Sequence, residues 1–515
     1  MRRIGSPLLL SLLLTASFAT VAWAQDASSG TSGTTPATQA SPASPASPTS
    51  TTPAQNPTTP SATPATDPAT PSATPAAPAP TPQIVTNTPL PTPTSPLALH
   101  VGDTDITIGG FMDAMVVTRS TATGSGLGSS FGTIPFSNTP TGNLSETRLS
   151  AQNSRVTLGA TSKAGDWNVH GYLEADFLGA GPTNQFVTSN GATLRMRLYW
   201  VDASTSKFEF LAGQSWSLIT PGRTGISPNP GDIFYSQDID TNYQMGLTWG
   251  RTEQFRFVYH PSKVVAAGFS LEDPEQYVGS SVNLPTAFTA AEVDNGANTA
   301  TPNLYPDIIG KIAIDPQTGN THQHFEVAEL VSGFKTADVN NPPNTFTATG
   351  TGTSVDVNLE PVKNFHIIGT GFFSKGGGRY IANTNIPDFI VNSNSSMSLV
   401  KSNSWIGGFE EQAMPKTQLY VYYSEANATA ATTTDTNGKL IGFGSGTAGQ
   451  SGDNQKVLEA TVGITQVFFR DPKIGGMQMM IQYSYVKRTP FAVSAGAPTF
   501  AKANMVYVDV RYILP

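Results

Sequence analysis

The stretch from Gly476 to Arg488, GMQMMIQYSYVKR, decides the fold because its side chains alternate between two kinds of surface. Every second position is apolar or aromatic and the positions between are mostly polar: Met477, Met479, Ile481, Tyr483 and Tyr485 against Gln478, Met480, Gln482 and Ser484. Successive side chains of a β-strand point to opposite faces, so a period of two predicts a strand with one apolar face. Residues 506–514 repeat the pattern.

Sixteen segments of residues 98–515 share this alternation and predict strands. They lie at 105–117, 148–162, 166–178, 193–202, 207–215, 243–260, 264–272, 307–314, 323–334, 353–360, 364–374, 402–412, 416–426, 455–469, 476–488 and 503–514. Several connections hold three or four residues, and others that alternate with them hold more than twenty. Short turns at one end and long loops at the other are typical of an all-β transmembrane antiparallel β-barrel. An even strand number then places both termini at the periplasmic end.

The membrane itself narrows the choice of fold. Lipid offers no hydrogen bonds, so a spanning backbone must be a helix or a closed sheet. No stretch of residues 98–515 approaches 18 consecutive apolar residues, which leaves the closed sheet. A soluble β-sandwich with alternating strands, and a barrel of eighteen strands, remain as alternatives.

The side chains of one predicted strand illustrate the two faces of the barrel wall, one toward lipid and one toward the interior. The segment 194–200 should turn Leu194, Met196, Leu198 and Trp200 to lipid and Arg195, Arg197 and Tyr199 to the interior.

Aromatic residues near strand ends are expected in girdles at the membrane surfaces: Trp167, Trp200, Trp249, Tyr259, Tyr423 and Tyr512. Ordinary core packing is the alternative for each of them.

The composition excludes several kinds of chemistry and partner. The chain has no cysteine, which excludes disulfides, thiolate metal sites and a cysteine nucleophile. Its formal net charge is −8, which argues against nucleic acid as a partner. We expect neither a cofactor nor a metal.

The first residues predict an export signal and a linker. Arg2 and Arg3 precede an apolar run, and Ala22-Trp23-Ala24 has the form of a cleavage site, so residues 1–24 are expected to be a signal peptide. Residues 25–97 are rich in Pro, Ala, Ser and Thr, which predicts a disordered periplasmic linker, because such a segment cannot bury a core. An inert tether is the simpler interpretation, and a contact with the cell wall is the alternative.

Four short motifs give the chain a resemblance to a known family. They are Asn153-Ser154-Arg155, Glu174-Ala175-Asp176-Phe177, Arg195-Met196-Arg197 and Leu211 to Ser217, LAGQSWS. In this order and spacing they are similar to the DcaP-like outer-membrane porins of Gram-negative bacteria. The resemblance implies a homotrimer of sixteen-stranded barrels that passes small organic solutes, often anions such as dicarboxylates. The chain departs from the family in its Pro-rich segment, where members often have a coiled-coil-like one, and in ending at Pro515 instead of an aromatic residue.

The polar faces of the strands supply candidates for a pore lining. They are Arg155, Glu174, Asp176, Arg195, Arg197 and Arg256, with Asp509 and Arg511 on the last strand. An unpaired charge in a dry wall would be costly, so these residues should face water. Arginines in a pore favour anions through a focused potential and bidentate carboxylate binding. We expect an arginine ladder in a water-filled lumen; the alternative is that these charges only form structural salt bridges.

The loop at residues 216–242 is the candidate for a constriction. It is long and turn-rich, and its charged residues include Arg223, Asp232, Asp238 and Asp240. We expect it to fold inward, so that its acids face the arginine ladder and set a transverse field. The alternative leaves this loop outside the barrel.

Signals of an enzyme are weak. Gly128-Ser129-Ser130-Phe131-Gly132 fits the nucleophile-elbow pattern, but it lies in a Gly/Ser-rich stretch instead of between a strand and a helix. His322 and His324 would share a strand face, with no third metal ligand indicated. We therefore expect a porin for passive diffusion of small hydrophilic, anionic solutes, and no enzyme. The alternative is a surface barrel or an exported β-rich protein whose long loops bind partners without transport.

Overall fold

The computed structural model describes residues 97–124, 126–179, 193–229, 244–296, 300–382, 384–446 and 452–515. The predictions for the signal peptide and nearly all of the linker fall on residues 1–96, outside this range. Within it, the alternating sequences form a closed antiparallel barrel of sixteen strands. The predicted fold class and strand number are therefore confirmed.

The barrel strands follow one another around the sheet in chain order. They are β1 (Thr104–Arg119), β2 (Arg155–Ala164), β3 (Trp167–Gly179), β4 (Thr193–Ser204), β5 (Phe208–Trp216), β6 (Arg251–Tyr259), β7 (Val265–Glu272), β8 (Asp307–Ile314), β9 (Thr321–Ala337), β10 (Thr345–Val362), β11 (Phe365–Lys375), β12 (Lys401–Met414), β13 (Thr417–Ala428), β14 (Asn454–Asp471), β15 (Gly475–Pro490) and β16 (Ala501–Ile513). The barrel closes where β1 pairs with β16, from Phe111↔Ile513 to Arg119↔Met505.

The connections differ between the two ends of the barrel. Short turns lie at the end where β1 begins and β16 ends, which we call the turn end. In the turn between β2 and β3, Ala164 pairs with Trp167, and Gly165 has a φ of 62°, which glycine adopts without a steric penalty. Long loops, among them 217–250, 273–306 and 376–400, lie at the opposite end, which we call the loop end.

The outer surface of the barrel is apolar because every second strand residue turns outward. Large apolar side chains are exposed on strands all around it, including Val156, Leu173, Phe255, Ile312, Val327, Val355, Phe373, Phe409, Val421, Val462, Ile481 and Val506. A continuous apolar band of this kind is expected to lie in hydrocarbon, because water penalises exposed apolar area.

Aromatic rings gather near the turn end, as a membrane girdle would. Trp167 at the start of β3 packs against Phe210, with ring centroids 5.9 Å apart. Tyr259 at the end of β6 stacks on Phe208 at 5.4 Å. Tyr512 at the end of β16 donates a hydrogen bond to the carbonyl of Ile474.

The girdle prediction is wrong for two tryptophans. Trp200 is 6% exposed and stacks on Tyr172 inside the barrel. Trp249 belongs to a loop and packs against Trp216, with ring centroids 5.9 Å apart. Tyr423 is exposed on the outer face of β13, near the middle of the strand.

Two predicted strands differ from the observed ones. The segment 148–162 is interrupted at residues 151–154, so that Glu146–Ser150 and β2 pair separately with β1. Residues 244–250 belong to a loop and not to β6. Their alternation has another cause, since Met245 and Leu247 are buried in clusters with inward-facing strand residues.

Near the loop end, apolar side chains from the loops pack against the inner wall, meaning the inward-facing strand residues. Phe131, Ile134 and Ile219 are fully buried in one cluster with Val117 of β1 and Ile309 of β8. The long loops thus contribute to the barrel core. None of the helical segments in the described ranges is long and apolar enough to cross a membrane.

Candidate functional site

Five of the predicted pore-lining residues meet on the inner wall of β2, β3 and β4. The Arg197 guanidinium lies 2.6 Å from Glu174 and 3.0 Å from Asp176. Arg155 lies 3.4 Å from Glu174, and Arg195 lies 2.6 Å from Asp176. We call these five residues the arginine cluster.

Further ion pairs continue the arginine cluster across the closure of the barrel. Arg511 on β16 lies 2.7 Å from Asp113 on β1 and 3.3 Å from its own strand neighbour Asp509. The ring of Phe111 lies between two guanidiniums. Its centroid is 3.9 Å from Cζ of Arg511 and 5.0 Å from Cζ of Arg155. The charged residues therefore form one connected patch over five neighbouring strands, β16 and β1 to β4.

The arginines of this patch differ in how much solvent reaches them. The side chains of Arg155, Arg197 and Arg511 are 7%, 1% and 1% exposed, whereas that of Arg195 is 35% exposed. A buried arginine must be paired, because a charge that loses water without gaining a partner is costly. The three buried arginines therefore stabilise the wall, and Arg195 keeps part of its guanidinium accessible.

A β-bulge in β4 lies beside Glu174 and Asp176, the two carboxylates of the arginine cluster. Glu174 pairs with Leu198 and Ala175 with Met196, so Arg197 is an extra residue on β4. The bulge turns consecutive residues Arg197 and Leu198 inward, and both are buried.

The same bulge exchanges the two faces of β4. Leu194 and Met196 are exposed on the outer face, as predicted. Beyond the bulge, Leu198 and Trp200 are buried inside the barrel and Tyr199 is exposed. The prediction for these last three residues is wrong. A one-residue insertion exchanges the inward and outward positions of all residues that follow it in the strand.

Arg256 lies apart from the arginine cluster, on β6. It is 4% exposed and donates hydrogen bonds to the carbonyls of Ser227, at 3.1 Å, and Trp216. Its Nε donates to Gln254 at 3.0 Å. Arg256 therefore anchors the chain that leaves β5.

Residues 217–229, which we call the inward segment, are held by carboxylates of the inner wall. The backbone N–H of Leu218 donates to Glu272 on β7 at 2.8 Å. The N–H of Gly222 donates to Glu326 on β9 at 2.9 Å. Both glutamates are nearly fully buried, so the segment satisfies charges that would otherwise be costly.

Arg223 extends the inward segment to the far side of the barrel. Its guanidinium donates to both oxygens of Glu410 on β12, at 2.7 and 2.9 Å, and Tyr422 donates to the same carboxylate at 2.7 Å. Further along the loop, the N–H of Met245 donates to Glu459 on β14 at 2.8 Å. The loop that joins β5 to β6 therefore contacts the inner faces of strands well away from its own ends.

Sequence reasoning missed the wall carboxylates Glu272, Glu326, Glu410 and Glu459. Their positions in the strands turn them inward, but each also accepts a hydrogen bond from a loop group far along the chain, which a local pattern does not reveal. Arg223, predicted for the loop, lies opposite the arginine cluster. The loop acids Asp232, Asp238 and Asp240 lie outside the described residues.

A second exposed cation on the inner face was also missed. Arg148 pairs in register with Val117 of β1, whose side chain is fully buried on the inner face, so both point to that side. Arg148 is 47% exposed and lies 3.0 Å from Glu146. Arg119 binds the other oxygen of Glu146 at 3.0 Å and is fully buried.

The loops at the loop end carry their own ionic cluster. Arg379 binds Asp307 and, at 2.9 Å, Asp388. Burial raises the pKa of Asp388 to about 6, although the Arg379 charge acts against this. Burial and the nearby charge of Asp294 raise the pKa of Glu275 to about 7.

The histidine and serine candidates are engaged in hydrogen bonds. His324 is fully buried and lies 2.8 Å from Asp315 and 3.3 Å from Glu326. Ser129 accepts a hydrogen bond from Arg119 at 2.6 Å. Across the residues that the structure describes, no group of three or more His, Cys, Asp or Glu side chains is arranged to hold a metal ion.

The closed sheet, the apolar outer band and the ionic inner wall define the protein as a sixteen-stranded β-barrel of the porin type. A comparison with solved structures specifies the fold further. The outer membrane channel DcaP of Acinetobacter baumannii matches over 80% of this chain and 97% of its own, with a TM-score of 0.56 at 16% identity. The chain thus has a DcaP-like porin fold.

Other barrels show weaker likeness. An anion-selective porin from Comamonas acidovorans has a TM-score of 0.45 at 12% identity, covering 80% of this chain and 99% of its own. OmpF of Salmonella typhi has a TM-score of 0.44 at 8% identity, covering 81% and 99%. No protein-family model matches the chain, and no curated protein does.

Proposed function

We propose that the protein is an outer-membrane porin through which small hydrophilic solutes diffuse passively, without catalysis. The observation that carries the proposal is the closed barrel, with apolar outward positions and ionised side chains on its inner wall. The apolar band suits hydrocarbon, and a barrel of this size has room for an aqueous passage. The DcaP-like fold supports the same location, since DcaP is an outer membrane channel.

We propose further that the channel prefers anions, including dicarboxylates. Arg195 and Arg148 support this, because both guanidiniums are on the inner face and are 35% and 47% exposed. A guanidinium binds a carboxylate through two parallel hydrogen bonds, and a positive potential inside a pore concentrates anions. Wall acids such as Glu410 and Asp176 are already bound by arginines, so their charges are compensated.

We propose the inward segment as the constriction of the pore. Its hydrogen bonds to Glu272, Glu326 and Glu410 support this, since they fix it to three inner-wall strands. The passage would then run between the inward segment and the wall that carries Arg195. Asp232, Asp238 and Asp240 remain candidates for the acidic side of a transverse field.

Liposome swelling with the purified chain tests this function. A four-carbon dicarboxylate should enter faster than a neutral solute of equal size, and a diamine of that size should enter most slowly. No swelling with any solute would contradict the porin proposal. Equal rates for the three solutes would contradict the anion preference alone.

Three features of topology and assembly belong to the proposal. Both ends of the barrel segment lie at the turn end, and short turns are periplasmic in outer-membrane barrels, so we place both termini in the periplasm. Residues 1–24 would then be the export signal and residues 25–97 the periplasmic linker, which gives 73 residues available to meet the cell wall. A shallow apolar recess on the outer face, with a volume of about 590 Å³ and lined by Leu158, Leu173 and Val201, suits subunit contact in a homotrimer. Native mass measurement of the detergent-solubilised protein tests the trimer.

A further inference from the structure

Lysines concentrate on the outer face of the barrel near the loop end. Five of them lie near the loop end of their strands and share the outward face with exposed apolar side chains. We call this set the lysine rim: Lys375, Lys401, Lys456, Lys487 and Lys502. They occupy β11 and β12 on one side of β13, and β14, β15 and β16 on the other, and β13 itself contributes Glu425 instead of a lysine.

Four members of the lysine rim form directly opposed pairs. Lys375 is the register partner of Lys401, and Lys487 is the register partner of Lys502. Residues directly opposite on neighbouring strands have their Cβ atoms about 5 Å apart, and like charges at that distance repel. Lysine side chains can extend their ammonium groups to the aqueous surface, and an anion between two opposed ammonium groups would offset the repulsion that remains.

The rim lies where lipid headgroups would meet the barrel. On the strand faces below it, Phe373, Trp405, Tyr483 and Val506 are 60%, 40%, 41% and 43% exposed and belong to the apolar band. The ammonium of Lys487 lies 4.4 Å from the centroid of the Phe500 ring, which holds it at the rim.

We propose that the lysine rim binds phosphate groups of anionic lipid in the leaflet at the loop end. Each opposed pair supplies two ammonium groups to one phosphate, and the apolar band beneath receives the acyl chains. Lys456, which lies 2.6 Å from Glu425, is the rim member whose charge is already compensated. The proposal assumes that the barrel lies in a membrane, but it does not depend on transport.

Native mass spectrometry of the purified full chain in nonionic detergent tests the proposal. The probe is a diphosphorylated glycolipid, compared with its monophosphorylated form and with zwitterionic phosphatidylethanolamine. The diphosphorylated lipid should bind most tightly, and its binding should weaken as salt rises. Replacing Lys487 and Lys502 by Gln should weaken binding by about tenfold or more, because each lysine near a charged surface contributes a several-fold preference. Lys375→Gln with Lys401→Gln should act in the same way.

The matched control replaces Lys207 and Lys263, which are exposed in turns at the opposite end of the barrel, and should leave lipid binding unchanged. Unchanged binding in both rim variants, or equal binding of the zwitterionic lipid, would overturn the proposal. Full competition by millimolar inorganic phosphate would also overturn it, since the site would then take a free anion. If a variant does not fold, the salt dependence of lipid binding by the unaltered protein remains the test of the proposal, and binding that does not weaken as salt rises would overturn it. Conductance of the rim variants should not change, so a failed transport function and a failed lipid site are distinguishable.

Discussion

Arg195 and Arg197 stand two residues apart, yet their environments differ enough to separate their roles. Arg197 is bound by Glu174 and Asp176 and is 1% exposed, whereas Arg195 is bound by Asp176 and is 35% exposed. Two carboxylates around one guanidinium leave little positive potential for a solute. We therefore expect Arg197 to stabilise the wall and Arg195 to influence permeation.

Arg195→Gln should shift the reversal potential in a salt gradient toward that of a cation-selective pore. The anion-to-cation permeability ratio should fall roughly twofold to fivefold, because a unit charge near a hydrated ion contributes up to about 1 kcal/mol. Lys207→Gln removes the same charge from an exposed turn and should leave the reversal potential unchanged. An unchanged ratio in the Arg195 variant would remove this residue from the selectivity site.

Tyr420 shows how a glycine shapes the inner wall. Its ring lies flat across Gly463 on the next strand and its hydroxyl donates to Gln482 on the strand beyond, at 2.9 Å. A Cβ added at Gly463 would lie 2.0 Å from the Tyr420 ring. Only a residue without a side chain permits this contact.

Gly463→Val should therefore destabilise the barrel by about 1–3 kcal/mol, the usual cost of overpacking. Urea unfolding monitored by tryptophan fluorescence measures the change. Gly310→Val is the control, because a Cβ there meets nothing within 4 Å. Equal stability of the two variants would show that the Tyr420 contact is not maintained.

At the scale of elements, the inward segment is positioned by ion pairs and hydrogen bonds to several strands. The bond between Arg223 and Glu410 is the one that reaches furthest from β5, and both side chains are nearly buried. Because removing one partner of a buried pair leaves the other uncompensated, this contact should control how firmly the segment is held.

Glu410→Gln should loosen the inward segment. We expect higher and noisier single-channel conductance, with faster proteolysis within residues 217–229. Glu411→Gln is a matched control, since Glu411 is the next residue but is exposed. If both variants conduct alike, Arg223 and Glu410 do not hold a constriction.

The loops at the loop end should respond to pH through Glu275. Its pKa is raised from 4.5 to about 7 in the folded loop by burial and by Asp294. Between these values the folded loop keeps a proton that the unfolded loop loses, so loop stability falls as pH rises from about 4.5 to about 7. Hydrogen exchange of residues 273–296, corrected for the intrinsic rate, should speed up over that range. Glu275→Gln should reduce this dependence, and an unchanged profile would assign it to another group, such as Asp388.

For the whole molecule, the alternation of side chains between the two faces of a strand, which we call strand parity, predicts the architecture. The same alternation applies to every strand of the barrel. It places Val156, Phe255 and Val506 outside and Arg155 and Arg511 inside, as observed. Parity fails after a bulge, and the bulge at Arg197 has no sequence signal strong enough to reveal it.

The interior is where sequence reasoning reaches its limit. Met245 and Leu247 alternate like a strand, but their loop packs against the inner wall instead. The partners of Glu326 and Glu410 come from a loop about a hundred or more residues away, and such contacts depend on the closed barrel. Arg148 was overlooked because its strand is separated from β2 by an irregular stretch at residues 151–154.

Single-channel recording in a planar bilayer under a salt gradient tests the central claim most directly. The account predicts stable conductance steps from the purified chain, with a reversal potential of the sign given by anion preference. A bilayer that stays sealed, although the protein is inserted and resists protease as a folded barrel, would contradict the claim that this chain is a channel.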